Sequence, residues 1–344
     1  MSTRAFADLI APVEPDVFCE TYWARRPLHV HRPPAFFCNL IGLRDVENYL
    51  SLDAAFERLS VTMQPHGGAA VDPPPVRLAD IRSGLAAGSS LRLRHIERFL
   101  DPASPTSALL RAMELALQHP LESLSCYVSP AGGAGFGAHH DENEIFTVQI
   151  SGKKRWEIFH RVDSRRPGVH ERAALAEATY DYTLEPGDVL YVPGGCVHDV
   201  TCQEASFSLT IVFAPFRWST MLDVLQTRLG GTRAFTEPVP AGSLLDEDTG
   251  EGVRKGFKDR IATIRAELDA LDAAAFVDEL ATQYLVRANG PAHSAVADTG
   301  DGARISLVTE VEKRAGIAAH LRRVEGDVML VLAGGATLRA DARA

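Results

Sequence analysis

The 344-residue chain has no CxxC pair, no run of 18 apolar residues and no surplus of positive charge. Its five cysteines (Cys19, Cys38, Cys126, Cys196 and Cys202) are odd in number and form no paired motif. That argues against a disulfide framework or a cysteine-ligated zinc site, and for reduced thiols. The opening MSTRAFADLI lacks the charged start and apolar core of an export signal, and no stretch is long enough to span a bilayer. No membrane segment is therefore expected, and the expected compartment is the cytoplasm. A net charge of −10 disfavours a polyanion such as nucleic acid as a direct ligand. Internal repeats and low-complexity tracts are missing as well. With 46% hydrophobic residues, the composition is that of a globular chain able to bury one large core and a smaller one.

Hydrophobic periodicity divides the chain. FADLI, PDVFCETYWARRP and LRDVENYL carry apolar residues at helical spacing, while RPLHVHR and LRLRHI alternate like strands. PHGGAAVDPPP reads as a surface loop. TSALLRAMELALQH is the clearest helix of the first half, with Thr106 and Ser107 after Pro105 as its N-terminal residues. From about residue 121 to 216 short β-rich runs alternate with turn clusters: LSCYVS, IFTVQI, KRWEIF, YDYTL, DVLYV and ASFSLTIVF. Such spacing fits a barrel or sandwich rather than βαβ units. Helical patterning returns in STMLDVLQTRL, FKDRIATIRAELDAL and AAFVDELATQYLV, the first set apart by the loop PVPAGSLLDEDTGEG. A final stretch mixes ARISLVTEV, a short helix near EKRAGIAAHL, and VMLVLAG. The expected fold is mainly β with flanking helices. Residues 1–216 form the catalytic domain, with a barrel core over about 88–216. Residues 217–289 form a helical module, and 290–344 a small α+β, winged-helix-like appendage.

Two clusters carry chemistry. In GFGAHHDENEIFTVQ, His139 and Asp141 are separated by one residue, so on a strand they share a face while His140 points away. In PGDVLYVPGGCVH, a turn at Pro186-Gly187, a strand at Val189–Val192 and a tight Pro193-Gly194-Gly195 turn lead to His198. The second cluster reproduces Gly-x5-Pro-x-Gly-x2-His, a motif of the cupin barrels, with Gly187, Pro193, Gly195 and His198 all in place. Two histidines and one carboxylate form a facial triad that leaves open positions on iron for a chelating co-substrate and dioxygen. Ile145 and Phe146 stand where a cupin's additional Glu would fall, which favours Fe(II) oxygenase chemistry over a storage or isomerase cupin. His29, His31, His66, His95, His119, His160, His170, His293 and His320 show no ligand spacing. PAGGAGFGAHH lacks the strand-then-helix context of a nucleotide loop.

The sequence resembles the JmjC-type 2-oxoglutarate oxygenases, in particular their ribosomal-protein oxygenase group. The resemblance lies in His139-x-Asp141, in Gln149-Ile-Ser-Gly152-Lys-Lys154-Arg-Trp156, in Tyr22, Trp23, Pro27 and Leu28, and in Tyr127, Pro130 and Gly132. It implies a double-stranded β-helix (jelly-roll) barrel in which His139, Asp141 and His198 bind Fe(II). Lys154 would bind the distal carboxylate of 2-oxoglutarate, with Tyr127 donating a hydrogen bond and Thr210 near the same pocket. Lys153 and Arg155 remain alternatives to Lys154, and Trp156 suits core or site equally. Ser125 departs from the Asn common in relatives, and the C-terminal appendage is short. The implied reaction is hydroxylation of a C–H bond in a protein or peptide side chain, with succinate and CO2 as co-products and dioxygen as co-substrate. A basic ribosomal protein is one candidate substrate, which acidic residues at the barrel mouth (Glu142, Glu144, Asp181) would attract. A free amino acid or peptide natural product as substrate, N-demethylation, and a non-oxygenase metal-binding cupin are the alternatives. In that family the middle helices form a dimerisation module, so the resemblance implies that role for residues 217–289 and a homodimer.

Overall fold

A computed structural model describes residues 4–50, 60–64, 78–133, 135–163, 166–239, 250–270, 272–287, 319–324, 327–332 and 337–341. The expected loop near 65–75, most of the expected loop 238–252, the ARISLVTEV stretch and most of the expected EKRAGIAAHL helix lie outside these residues; Gly250–Gly252 of that loop open a helix, and Ala319–Leu321 of the expected helix begin a strand. The chain divides into two compact units, residues 1–215 with 288–318, and residues 216–287 with 319–344.

The first unit is built on strands that switch sheets as the chain advances. In order they are β1 (Leu28–His31), β2 (Ser60–Gln64), β3 (Ser90–Arg94), β4 (Leu121–Ser129), β5 (His139–His140), β6 (Glu144–Ser151), β7 (Lys154–Arg161), β8 (Gly168–Val169), β9 (Tyr180–Leu184), β10 (Asp188–Val192), β11 (Cys196–Cys202) and β12 (Ser206–Phe213). One antiparallel sheet has the order β1-β10-β6-β12-β4-β3-β2 and the other β8-β5-β11-β7-β9. From β4 to β7 and again from β10 to β12, successive strands alternate between the two, which is the winding of a double-stranded β-helix. β2, β8 and β11 were not evident in the sequence, and the strand expected through His139 and Asp141 covers only His139 and His140 as β5. β8 is likewise two residues long, and β11 begins directly after the Pro193-Gly194-Gly195 turn.

The seven-stranded sheet has two chemically different faces. Phe207, Leu209, Ile211 and Phe213 of β12 join Phe146, Val148, Val189 and Tyr191 in a core with Phe6, Leu9, Ile10 and Phe18 of the N-terminal helices and Met113 of the helix Pro105–Leu117. Each such side chain contributes roughly 1.5–3 kcal/mol on burial. The alternate residues Ser208 and Thr210, with Ser125 and Tyr127 of β4, line a cavity on the opposite face. Leu184, Leu190, Val192, Ile145, Trp156 and Ile158 form a smaller core that joins the two sheets.

Trp23 stacks on His119 (5.0 Å) and on Tyr191 (6.1 Å), and Phe18 meets Tyr191 edge-on. The Tyr191 hydroxyl donates to Glu144 and accepts from the Ala24 N–H at 2.8 Å. The Tyr-Trp motif thus anchors the N-terminal helices to the sheet. The helix Pro105–Leu117 is capped by Ser104, whose side chain accepts from the Ser107 N–H, so the cap precedes Pro105 rather than following it. His29 and His31 flank the buried Asp188 at 3.3 and 2.7 Å and tie β1 to β10.

The second unit holds the helices Thr220–Gly230, Arg233–Thr236, Gly250–Asp269 and Ala273–Arg287. It also holds an antiparallel sheet of β13 (Ala319–Val324), β14 (Asp327–Leu332) and β15 (Thr337–Asp341). No helix among the described residues is long and apolar enough to cross a membrane.

Candidate metal centre

β5 and β11 lie side by side with His139 opposite His198. Asp141 follows directly from β5, and its carbonyl accepts the Gly195 N–H at 2.7 Å. That contact clamps the two sequence motifs together, and the backbone of the second motif requires two glycines. Gly195 adopts φ +84, and a Cβ there would press on the Val162 carbonyl. Gly187 adopts φ +105, where a Cβ would collide with the Arg32 carbonyl.

The three side chains converge. Asp141 Oδ2 lies 4.0 Å from Nε2 of both His139 and His198, and the three candidate ligand atoms sit within 4.8 Å of one another. No other such cluster occurs among the described residues. His139 Nδ1 lies 2.8 Å from the Gly137 carbonyl and His198 Nδ1 3.0 Å from the Cys196 carbonyl. Each Nδ1–H donates to a backbone oxygen, which fixes the tautomer and leaves the Nε2 lone pair facing the centre. Burial, and then the neighbouring His139, lower the His198 imidazole to about 4, so at neutral pH it offers a lone pair. The Trp156 ring stacks on His198 at 5.4 Å and fixes its plane. Trp156 Nε1–H is buried without a partner. Asp141 is 41% exposed and leaves one side of the centre open.

His140 turns out of the centre into a buried contact. Its Nδ1 meets His170 Nε2 at 2.8 Å and its Nε2 the Arg166 carbonyl at 2.9 Å, beneath β8.

The triad opens on a cavity of about 250 Å³. Lys154, 4% exposed, lines it. Its Nζ donates to Ser208 Oγ at 2.8 Å and lies 5.3 Å from the centroid of the Tyr127 ring. Burial lowers this ammonium to about 8. No carboxylate pairs with it among the described residues, whereas Lys153 pairs with Glu185 and Arg155 with Asp181. Burial also raises the Tyr127 hydroxyl, which therefore stays protonated as a donor. Thr210 lines the same wall and shares a hydrogen bond with Thr147 at 3.2 Å. The hydroxyl beside Lys154 is Ser208, which sequence reading missed. Its only signal was its place two residues before Thr210.

The acidic mouth is not formed as expected. Glu144 is 2% exposed and holds Tyr191, and Asp181 is neutralised by Arg155, with contacts of 2.9 and 2.6 Å. Glu142 does line the cavity, with Glu122, Arg92 and Arg94.

Comparison with known proteins places this geometry. The chain is similar to Ribosomal oxygenase 1 of Gallus gallus, 29% identical over 303 residues, covering 83% of this chain and 47% of that protein. It is also similar to the Drosophila persimilis protein named bifunctional lysine-specific demethylase and histidyl-hydroxylase NO66, 27% identical over 241 residues, covering 65% and 33%. The chain thus spans less than half the length of these relatives. Among solved structures it resembles the Escherichia coli ribosomal oxygenase YcfD in complex with cobalt and 2-oxoglutarate. The TM-score is 0.52 at 16% identity, over 95% of this chain and 86% of that one. At that identity the likeness is one of fold. A family model described as the JmjC domain matches residues 103–221. That span holds β4 to β12 and all three converging side chains, so the likeness to the JmjC domain and the candidate metal centre coincide.

Proposed function

We propose that this chain is an Fe(II)- and 2-oxoglutarate-dependent oxygenase that hydroxylates a C–H bond of a protein or peptide side chain. The observation that carries the reading is a buried Lys154, with no carboxylate partner among the described residues, in the same cavity as the His139, Asp141 and His198 side chains. A buried ammonium without a counter-ion is a standing electrostatic debt, and a dicarboxylate co-substrate relieves it with a charge-assisted hydrogen bond.

The donor set suits iron: two neutral imidazole nitrogens and one carboxylate oxygen, open on one side. Fe(II) held there supplies the oxidation. One atom of dioxygen enters the C–H bond as hydroxyl, the other enters succinate, and CO2 leaves the 2-oxo acid. The remaining work falls to the chain's own side chains. Lys154 and Ser208 take the distal carboxylate, Tyr127 donates a further hydrogen bond, and Thr210 closes the wall beside them. Trp156 fixes the His198 plane. The relatives' names point to a ribosomal protein as substrate. The unpaired cysteines suit a reducing compartment, and the cytoplasm is the assigned one. Exposed Trp218, Leu222, Phe257, Val277 and Val286 in the second unit give the helical module an apolar surface for homodimerisation.

The test is succinate formation from 2-oxoglutarate by the Fe(II)-loaded chain, with mass spectrometry of candidate ribosomal-protein peptides for a product one oxygen atom heavier. A chain that binds Fe(II) yet forms no succinate contradicts the reading.

A further inference from the structure

Two cationic side chains on the cavity wall are matched by neither carboxylate of the co-substrate. Of the two carboxylates of 2-oxoglutarate, one is matched by Lys154 and the other belongs at the metal. Arg92 and Arg94 are then surplus. They reach the cavity because β3 turns Ser90, Arg92 and Arg94 toward it and packs Leu91 and Leu93 into the helical core. Arg92 rests on neutral groups. Its guanidinium carbon lies 4.8 Å from the Phe136 ring centroid, Nη2 is 3.4 Å from Thr62 Oγ1, and it hydrogen-bonds Tyr127. Its Nε–H is buried with no acceptor. Neither arginine is ion-paired with a carboxylate among the described residues.

A buried guanidinium N–H without an acceptor is costly. Two forks on one strand face match a carboxylate better than any neutral group. We propose that Arg92 and Arg94 receive a carboxylate of the prime substrate, so that the oxidised C–H bond lies next to an acidic group. The group is an Asp or Glu side chain, or the terminal carboxylate of a peptide or amino acid. Glu122 and Glu142 on the same lining repel a second negative charge, which limits the site to a single carboxylate. A Lys or Arg side chain entering this wall meets like charge and is rejected. This inference rests on the oxygenase reading and narrows its substrate.

The test is 2-oxoglutarate turnover by the full Fe(II)-loaded chain with a panel of probes. The panel contains free L-aspartate and L-glutamate, capped peptides with a central Asp or Glu, uncapped neutral peptides, and capped peptides with a central Lys, Arg or His. A carboxylate-bearing probe is expected to stimulate succinate formation and to gain one oxygen atom. The capped acidic peptides separate a side-chain carboxylate from a terminal one. Arg94→Gln is expected to raise that probe's KM about tenfold or more while the 2-oxoglutarate KM is unchanged, and Arg94→Lys to recover part of the loss. Arg94 is the cleaner position because Arg92 touches Tyr127. Stimulation only by the capped Lys, Arg or His peptides overturns the proposal, as does basal turnover that no carboxylate probe raises. An Arg94→Gln KM equal to wild type overturns it too. Bound Fe(II) without any 2-oxoglutarate turnover instead removes the oxygenase reading, and this inference with it.

Discussion

Burial takes the Lys154 ammonium from 10.5 to about 8, and the sign of that shift yields two predictions. Its folded pKa is depressed, so between about pH 8 and 10.5 the unfolded chain binds more protons and stability rises with pH. At pH 7 the charge opposes folding by roughly 3 kcal/mol. Lys154→Met is therefore expected to raise the thermal midpoint of the ligand-free protein while abolishing 2-oxoglutarate binding by calorimetry. A lower midpoint with binding retained would sink the assignment. Because the ammonium discharges as pH rises past about 8, wild-type affinity for 2-oxoglutarate is expected to weaken between pH 7 and 9.5. At the triad, His139→Ala, Asp141→Ala and His198→Ala should each remove stoichiometric Mn(II) binding. His140→Ala should keep it and lose stability instead, since His140 holds His170 and the Arg166 carbonyl. Loss of metal in His140→Ala with retention in His139→Ala would reverse the assignment. The ligand triad was legible because its residues sit in two local motifs. Ser208 and Arg92 were not, because each meets its partners only through strand pairing across the fold.

At the scale of the element, β12 shows what alternation alone leaves open. SFSLTIVF predicts a strand with two unlike faces, and period two cannot say which face is solvent. The usual expectation sends serine and threonine outward. Here the N-terminal helices cover the apolar face, and the hydroxyl face lines the site. Leu209→Ala, on the covered face, should cost roughly 2–5 kcal/mol of stability with metal affinity unchanged, measured by chemical unfolding and Mn(II) titration. Ser208→Ala should weaken 2-oxoglutarate affinity and, by taking the hydrogen-bond acceptor from the buried Lys154 ammonium, cost roughly 1–3 kcal/mol of stability. Equal effects of the two on binding would show that the faces do not divide the work. Gly195 belongs to this scale as well. A Cβ at φ +84 against the Val162 carbonyl strains the turn that precedes His198, by roughly 1–3 kcal/mol from the backbone conformation alone. Gly195→Ala should therefore weaken metal binding without touching a ligand.

For the whole molecule, the described residues form two compact units, and length and composition say only that a chain of this size has room for a large domain and a smaller one. The charge of −10 told less, because net charge carries no position. Glu144 is spent inside the barrel on Tyr191 and Asp181 on Arg155, so the expected acidic mouth was a property of sequence neighbours and not of the surface. The central claim concerns the metal and the dicarboxylate together. It is met most directly by titrating 2-oxoglutarate into the Fe(II)-loaded chain under anaerobic conditions while following the visible charge-transfer band of a chelated 2-oxo acid. Wild type is expected to develop the band with one equivalent of 2-oxoglutarate per chain. His198→Ala should give no band, and Lys154→Ala a band only at much higher 2-oxoglutarate. A wild-type chain that holds Fe(II) and develops no band, or a Lys154→Ala curve that overlays wild type, would contradict the account.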